Sequence, residues 1–134
     1  MRWFPSGAPK PAREAGQRAE DRALAHLQRQ GLSLVQRNFR TPGRGGGEID
    51  LIMREPDGTL VFVEVRQRRS GAYGGAAASI DATKRRRIVF AARHFLARQR
   101  SMPRTRFDAV LIDGDGGELR WLRAAFDASD PFSF

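Results

Sequence analysis

Gly47-Glu48-Ile49-Asp50-Leu51-Ile52-Met53-Arg54-Glu55-Pro56-Asp57-Gly58-Thr59-Leu60-Val61-Phe62-Val63-Glu64-Val65-Arg66-Gln67 holds two strand patterns joined by a turn. Glu55-Pro56-Asp57-Gly58 is a strong turn signal, because proline presets φ and glycine accepts a left-handed one. Residues 48–54 predict one strand, with Ile49, Leu51 and Met53 on its apolar face. Residues 59–67 predict the next. There Leu60, Val61, Phe62 and Val63 are uninterruptedly apolar, the mark of a strand buried on both faces and therefore central in its sheet. Side chains two apart on a strand share a face. Glu48 thus lies with Asp50, and Glu64 with Arg66. If those two faces meet, three carboxylates and a guanidinium converge. Gathered carboxylates repel one another unless a cation or a shared proton relieves them, and oxygen ligands of this kind suit Mg²⁺ or Mn²⁺.

Working outward, residues 11–30 have a helical period: Ala15, Ala19, Ala23 and Leu27 recur every four positions, with Leu24 beside them. Pro11 suits the first turn and Gly31 the position just past the end. Residues 32–40 predict a strand, and 41–47 a flexible Gly-rich loop before the carboxylates. A long basic, Gly/Ala-rich loop covers 68–78. Residues 81–100 predict a second helix with Ile88, Ala92, Phe95 and Leu96 as its buried stripe. A fourth strand spans 106–113, and Gly114-Asp115-Gly116-Gly117 turns it into a fifth at 118–122. The order α-β-β-β-α-β-β gives an α/β fold: an antiparallel meander, then a right-handed parallel crossover, in one mixed β-sheet with flanking helices. Residues 11–126 make a single domain, preceded by a tail at 1–10 and followed by another at 127–134.

The chain has 24 basic and 15 acidic residues, a formal charge of +9. Such a charge favours a polyanionic partner, with DNA expected ahead of RNA, or an anionic surface. It fits a basic ribosome-associated structural protein as well. There is no cysteine, which removes disulfides, thiolate metal sites and cysteine nucleophiles. No signal-peptide pattern and no apolar run of roughly 18 residues is present, so the expectation is a cytoplasmic protein with no membrane partner. Several tempting motifs fail. Residues 43–47 are no P-loop, since Glu48 stands where lysine is required. His26 and His94 lack metal-ligand spacing.

The residues Ala19-Glu20, Gly47 through Ile52, Phe62 through Arg66, Tyr73-Gly74, Lys84 and Arg106-Phe107-Asp108 resemble the YraN family of small bacterial proteins, over roughly residues 13–125. That family is similar to the PD-(D/E)XK nucleases, which have a restriction-endonuclease-like core. The resemblance implies a metal-dependent nuclease, a phosphodiester hydrolase. It puts Asp50 at the aspartate position and Glu64 at the (D/E) position, both holding Mg²⁺ or Mn²⁺. Arg66 falls where lysine is usual. Glu20 matches a helix-borne glutamate of the Holliday-junction-resolvase-like branch and would join the metal or orient water. Related resolvases act as homodimers.

Arg66 is the difficulty in this assignment. A guanidinium cannot act as a base, but it can clamp a phosphate oxygen. Lys84, at the start of the second helix, is the alternative source of an ammonium. Glu48 is either a third ligand or support, paired with Arg44 or Arg66. Asp108 is expected in a structural ion pair. Arg44, Arg68, Arg69, Lys84, Arg85 and Arg86 would track backbone phosphates, with Tyr73 stacking on a base. An inactive nucleic-acid-binding module, with Arg66 as its scar, is the principal alternative. Carboxylates repel phosphates, so a purely structural basic protein has no reason to gather them.

Overall fold

Leu60, Val61, Phe62 and Val63 are each completely buried, and the strand that carries them runs down the middle of a five-stranded sheet. The computed structural model describes residues 10–43, 45–68, 80–114 and 116–128. The elements are α1 (Lys10–Arg29), β1 (Ser33–Arg40), β2 (Glu48–Arg54), β3 (Leu60–Arg68), α2 (Ala82–Leu96), β4 (Thr105–Asp113) and β5 (Leu119–Phe126), in the order expected from the sequence. Strands lie side by side as β1-β2-β3-β4-β5. The first three are antiparallel, β3 and β4 pair in parallel through the α2 crossover, and β5 returns antiparallel.

Alternation along β3 feeds two cores. Leu60 and Phe62 pack with Ile88, Ala92 and Phe95 of α2, while Val61 and Val63 pack with Ala19, Ala23 and Leu27 of α1. Each helix covers one face of the sheet. Gly31, with φ +100°, ends α1, and Leu32 N–H returns to the Leu27 carbonyl, a helix stop that only a left-handed residue allows without strain. Asp81 caps α2, its carboxylate accepting from Lys84 N–H.

Three expectations need correction. Ile49 does not share a face with Leu51 and Met53. It packs with Ile52 and Phe39 on the α2 side, whereas Leu51 and Met53 face α1. The alternation breaks beside Asp50, opposite Asn38, whose φ of +52° turns β1. The segment before β2 is not merely a flexible loop. Thr41 Oγ1 accepts from Gly47 N–H, and a Cβ at Gly47 would overlap the Arg87 carbonyl of α2, so Gly47 is there to let a helix backbone approach. β5 runs to Phe126 rather than 122, across a bulge opposite Phe107 and Ala109 where Ala124 has φ +52°. Beyond Arg68 the expected basic loop lies outside the described residues, as do 1–9 and 129–134 of the two tails.

Asp108 fills that bulge. It is fully buried, and its carboxylate accepts from Arg106 Nε and Nη2, Trp121 Nε1 and Ala124 N–H at 2.8–3.0 Å. Arg106 also donates to Glu55 at 2.6 Å. This is the structural ion pair expected of Asp108.

Asp108→Ala leaves the half-buried Arg106 and the Ala124 amide without their acceptor; urea unfolding is expected to show a loss of about 3–5 kcal/mol, and a loss below about 1 kcal/mol would contradict the network. Gly47→Ala must push α2 off β2 and is expected to cost about 1–3 kcal/mol by the same measurement, whereas Gly58→Ala, which meets nothing within 4 Å, carries only the strain of its left-handed backbone.

Candidate functional site

Pairing between β2 and β3 stops at Leu51↔Val63. Two residues further along β3, the Val65 N–H is taken by the Asp50 carboxylate at 2.8 Å. The two strands splay there, and a cleft of about 470 Å³ opens between them, walled by α1, β2, β3 and the start of α2. Glu20, Glu48, Asp50, Glu64, Arg66 and Lys84 all line it. The charged faces of the two strands therefore meet as their spacing predicts.

The carboxylates are not equivalent. Glu64 is almost wholly buried. Its Oε2 lies 3.4 Å from Lys84 Nζ and 3.6 Å from Arg66 Nη1, while its Oε1 is buried with no hydrogen-bond partner among the described residues. Asp50 is near enough for one proton to bridge the two carboxyls. Burial, and then the Asp50 charge, push the Glu64 carboxyl from 4.5 up to about 8. Asp50 is raised as well, by burial first. The pair titrates as a unit, with burial and mutual repulsion holding both carboxyls above the usual carboxylate range.

Glu20 enters from α1 and feels Asp50. Its pKa is raised by burial and by that charge, against the pull of Arg37 and Asn38. Its carboxylate is committed to Arg37 at 3.5 Å, so α1, β1 and the cleft are tied together. Among the described residues no group of three His, Cys, Asp or Glu is arranged to hold a metal, and the three-carboxylate cage with Glu20 as ligand is not assembled. Two carboxylates with an orphaned oxygen do fit a hard dication, because Mg²⁺ keeps several waters and takes only one or two protein carboxylates beside substrate phosphate. Glu48 lines the cleft and pairs with Arg40 at 2.8 Å.

Lys84 is brought into the cleft from the first turn of α2, as the alternative to Arg66 requires. The four cations 84–87 do not form one track. Successive helical residues point about 100° apart: Lys84 faces the cleft, Arg85 lines a hollow with Leu122 and Phe126, and Arg86 lies in another with Phe90. Arg87, one turn from Lys84, joins it in a second hollow of about 360 Å³ with Arg40 and the Gly-rich loop. Arg68 is exposed at the end of β3. Arg44, Arg69 and Tyr73 lie outside the described residues. Arg37, Arg40 and Gln67 border the site without having been singled out from the sequence, whereas Arg87 belongs to the run of four cations at 84–87 that the sequence offers as a phosphate track.

Residues 19–112 match a family model described as uncharacterised protein family UPF0102. The chain belongs to the UPF0102 family. A UPF0102 protein of Paracidovorax citrulli is 68% identical over 126 residues, 92% of each chain. One from an Acidovorax species (strain JS42) is 65% identical over 124 residues, again 92% of each, and one from Cupriavidus taiwanensis is 59% identical over 129 residues, 96% of this chain and 94% of its own. This is the family of the YraN-type proteins that the sequence resembles. The UPF0102 match begins at Ala19 and ends at Ile112, so it takes in Glu20, Asp50, Glu64, Arg66 and Lys84.

The raised Glu64 carboxyl has a sign that can be checked. The folded chain binds this proton more tightly than the unfolded one, so with chelator present stability falls as pH rises from about 4.5 to about 8 and levels off above that. Glu64→Gln is expected to raise Tm at pH 8 by at least roughly 3 °C, the effect of about 1 kcal/mol in a domain of this size, and to match the parent at low pH. An equal or lower Tm at pH 8 would refute the buried-charge account.

Proposed function

We propose that this UPF0102 chain is a metal-dependent nuclease that hydrolyses phosphodiester bonds of nucleic acid, with DNA as the first substrate to test, at the cleft between β2 and β3. One observation carries the reading: the part-buried Asp50 carboxyl stands beside the buried Glu64 carboxyl, with an unpartnered oxygen on Glu64, in a cleft that Arg66, Lys84, Glu20 and Glu48 also line. Nothing about folding stability calls for such a pair. A substrate site does, and raised carboxyl pKa values in a cleft are a mark of one.

Asp50 and Glu64 would hold Mg²⁺ or Mn²⁺. That ion supplies Lewis-acid polarisation of a phosphoryl oxygen and a lowered pKa for attacking water. The rest is work for this chain's own groups. The Val65 N–H fixes the Asp50 carboxylate beside Glu64, so it is positioned without rearrangement. Lys84 and Arg66 flank Glu64 and meet the substrate phosphate, stabilising charge as it builds on the oxygens. Their roles differ, because an ammonium can give up a proton to a leaving group and a guanidinium cannot. Lys84 is therefore the proton-handling cation and Arg66 the clamp. The lysine missing from the strand is replaced from the helix, which counts against the inactive-module alternative. Glu20 binds Arg37 and keeps the α1 wall in position.

The test is cleavage of single-stranded, duplex, flap and four-way-junction DNA and structured RNA with Mg²⁺ or Mn²⁺. Products should require the metal. Asp50→Ala, Glu64→Ala and Lys84→Ala should each lower the rate by roughly 10²–10³-fold, Lys84→Arg should not restore it, and Arg66→Ala should leave a measurable rate. Metal-dependent products that persist in both Asp50→Ala and Glu64→Ala, or no products from any substrate, would overturn the proposal.

A further inference from the structure

Phe90 is exposed on the outer face of α2, with 46% of its surface open. Arg86, Arg87, Arg93 and His94 stand three or four residues from it, so they share its stripe of the helix. Phe90 and the three arginines line a hollow of about 350 Å³ with no carboxylate in its lining. The His94 ring lies against Phe90, centroids 4.9 Å apart. A single exposed apolar side chain is ordinary; an aromatic ring set among three guanidinium groups is a surface for a ligand that is both flat and anionic.

The hollow is also connected. It shares Gly45 and Arg87 with the hollow beside the Gly-rich loop, and that one shares Glu48 and Lys84 with the carboxylate cleft. A path thus leads from Phe90 past Arg87 and Lys84 to Asp50 and Glu64.

We propose that the outer face of α2 is a docking surface for an unpaired nucleic-acid strand, with one base stacked on Phe90 and the adjoining phosphates held by Arg86, Arg87 and Arg93. The strand must be unpaired, because stacking uses the face of a base and a duplex offers only edges in its grooves. Lys84 and Phe90 are six residues apart, about 9 Å along the helix axis. At roughly 3.4 Å per stacked nucleotide, that puts the docked base two or three nucleotides from the carboxylates. The dock stands on its own chemistry; only the direction in which it feeds the strand rests on the nuclease reading.

The experiment measures binding of labelled oligo(dT), oligo(U) and a DNA duplex to the full chain in EDTA, where hydrolysis is suppressed. Phe90→Ala is expected to weaken oligo(dT) or oligo(U) binding roughly tenfold with an unchanged Tm, Phe90→Trp to retain it, and duplex binding to change less than about twofold. The two homopolymers show whether DNA, RNA or both are accepted. Arg87→Ala is expected to reduce the salt dependence of log affinity by about 0.7, one phosphate's worth on a single strand. Phe90→Ala binding as tightly as the parent, or losing duplex and single-strand affinity in equal proportion, would overturn the dock. Asp50→Ala separates the two ideas. If the parent cleaves nothing while Phe90→Ala still loses single-strand binding, the nuclease reading falls and the dock stands; if Asp50→Ala abolishes cleavage while Phe90→Ala binds normally, the dock falls alone.

Discussion

The arrangement depends on a substitution of one acceptor for another. Where β2 leaves β3, the next amide of β3 would face a gap, and a buried amide without a partner costs about 1–3 kcal/mol. The Asp50 carboxylate replaces the missing strand carbonyl. This lets β2 turn away without orphaning the backbone, and the turning away creates the cleft. It also fixes Asp50 beside Glu64 on the neighbouring strand. Gly47, one residue before β2, lets α2 come close enough for Lys84 to reach the same spot. Opening, charge and counter-charge thus follow from where one ladder ends.

Two aspartates in this sheet, Asp50 part-buried and Asp108 fully buried, show how differently the same residue can be treated. Both occupy an irregularity in strand pairing and both accept a main-chain N–H. Asp108 has a bidentate guanidinium and an indole besides, so its charge is matched and its position rigid. Asp50 has another carboxyl for a neighbour, and Lys84 and Arg66 lie 3.4 and 3.6 Å from that neighbour, Glu64. A buried charge that is paired acts as a rivet. A close pair of like charges shielded from water is a standing demand for a cation or a proton, and the protein tolerates it beside the opening between β2 and β3.

Much of this was legible in the chain. The apolar run of Leu60, Val61, Phe62 and Val63 gave the central strand, the four-residue alanine period gave α1, and the same-face pairs gave the charged walls of the cleft. Those signals are local and periodic. What escaped was set by tertiary contact. The face change at Ile49 depends on Asn38 across the ladder, and period-two counting has no means to see it. β5 was cut short because Ala124 and Ala125 carry no alternation, while Asp108, sixteen residues earlier, holds the bulge that lets the strand continue. The run 84–87 looks like a single basic block in sequence, and the helical turn distributes it among the carboxylate cleft and three other hollows. Lys84 was weighed as a substitute for the strand lysine, but its reach to Glu64 depends on how closely α2 settles on Gly47, a distance that spacing does not encode.

The rims of the sheet have a consequence of their own. Seven of the eight β1 residues are not buried, and the exposed Leu34 and Val35 would make a sticky template if that edge were straight. The pairing register slips between Leu34 and Gln36, and Arg37 and Arg40 follow. At the far rim, β5 is interrupted by its own bulge between Leu122 and Phe126, where Ala124 has a positive φ. A kinked, positively charged border discourages strand addition from a second molecule. Edge-to-edge pairing between copies of this chain is thereby disfavoured along both borders of the sheet.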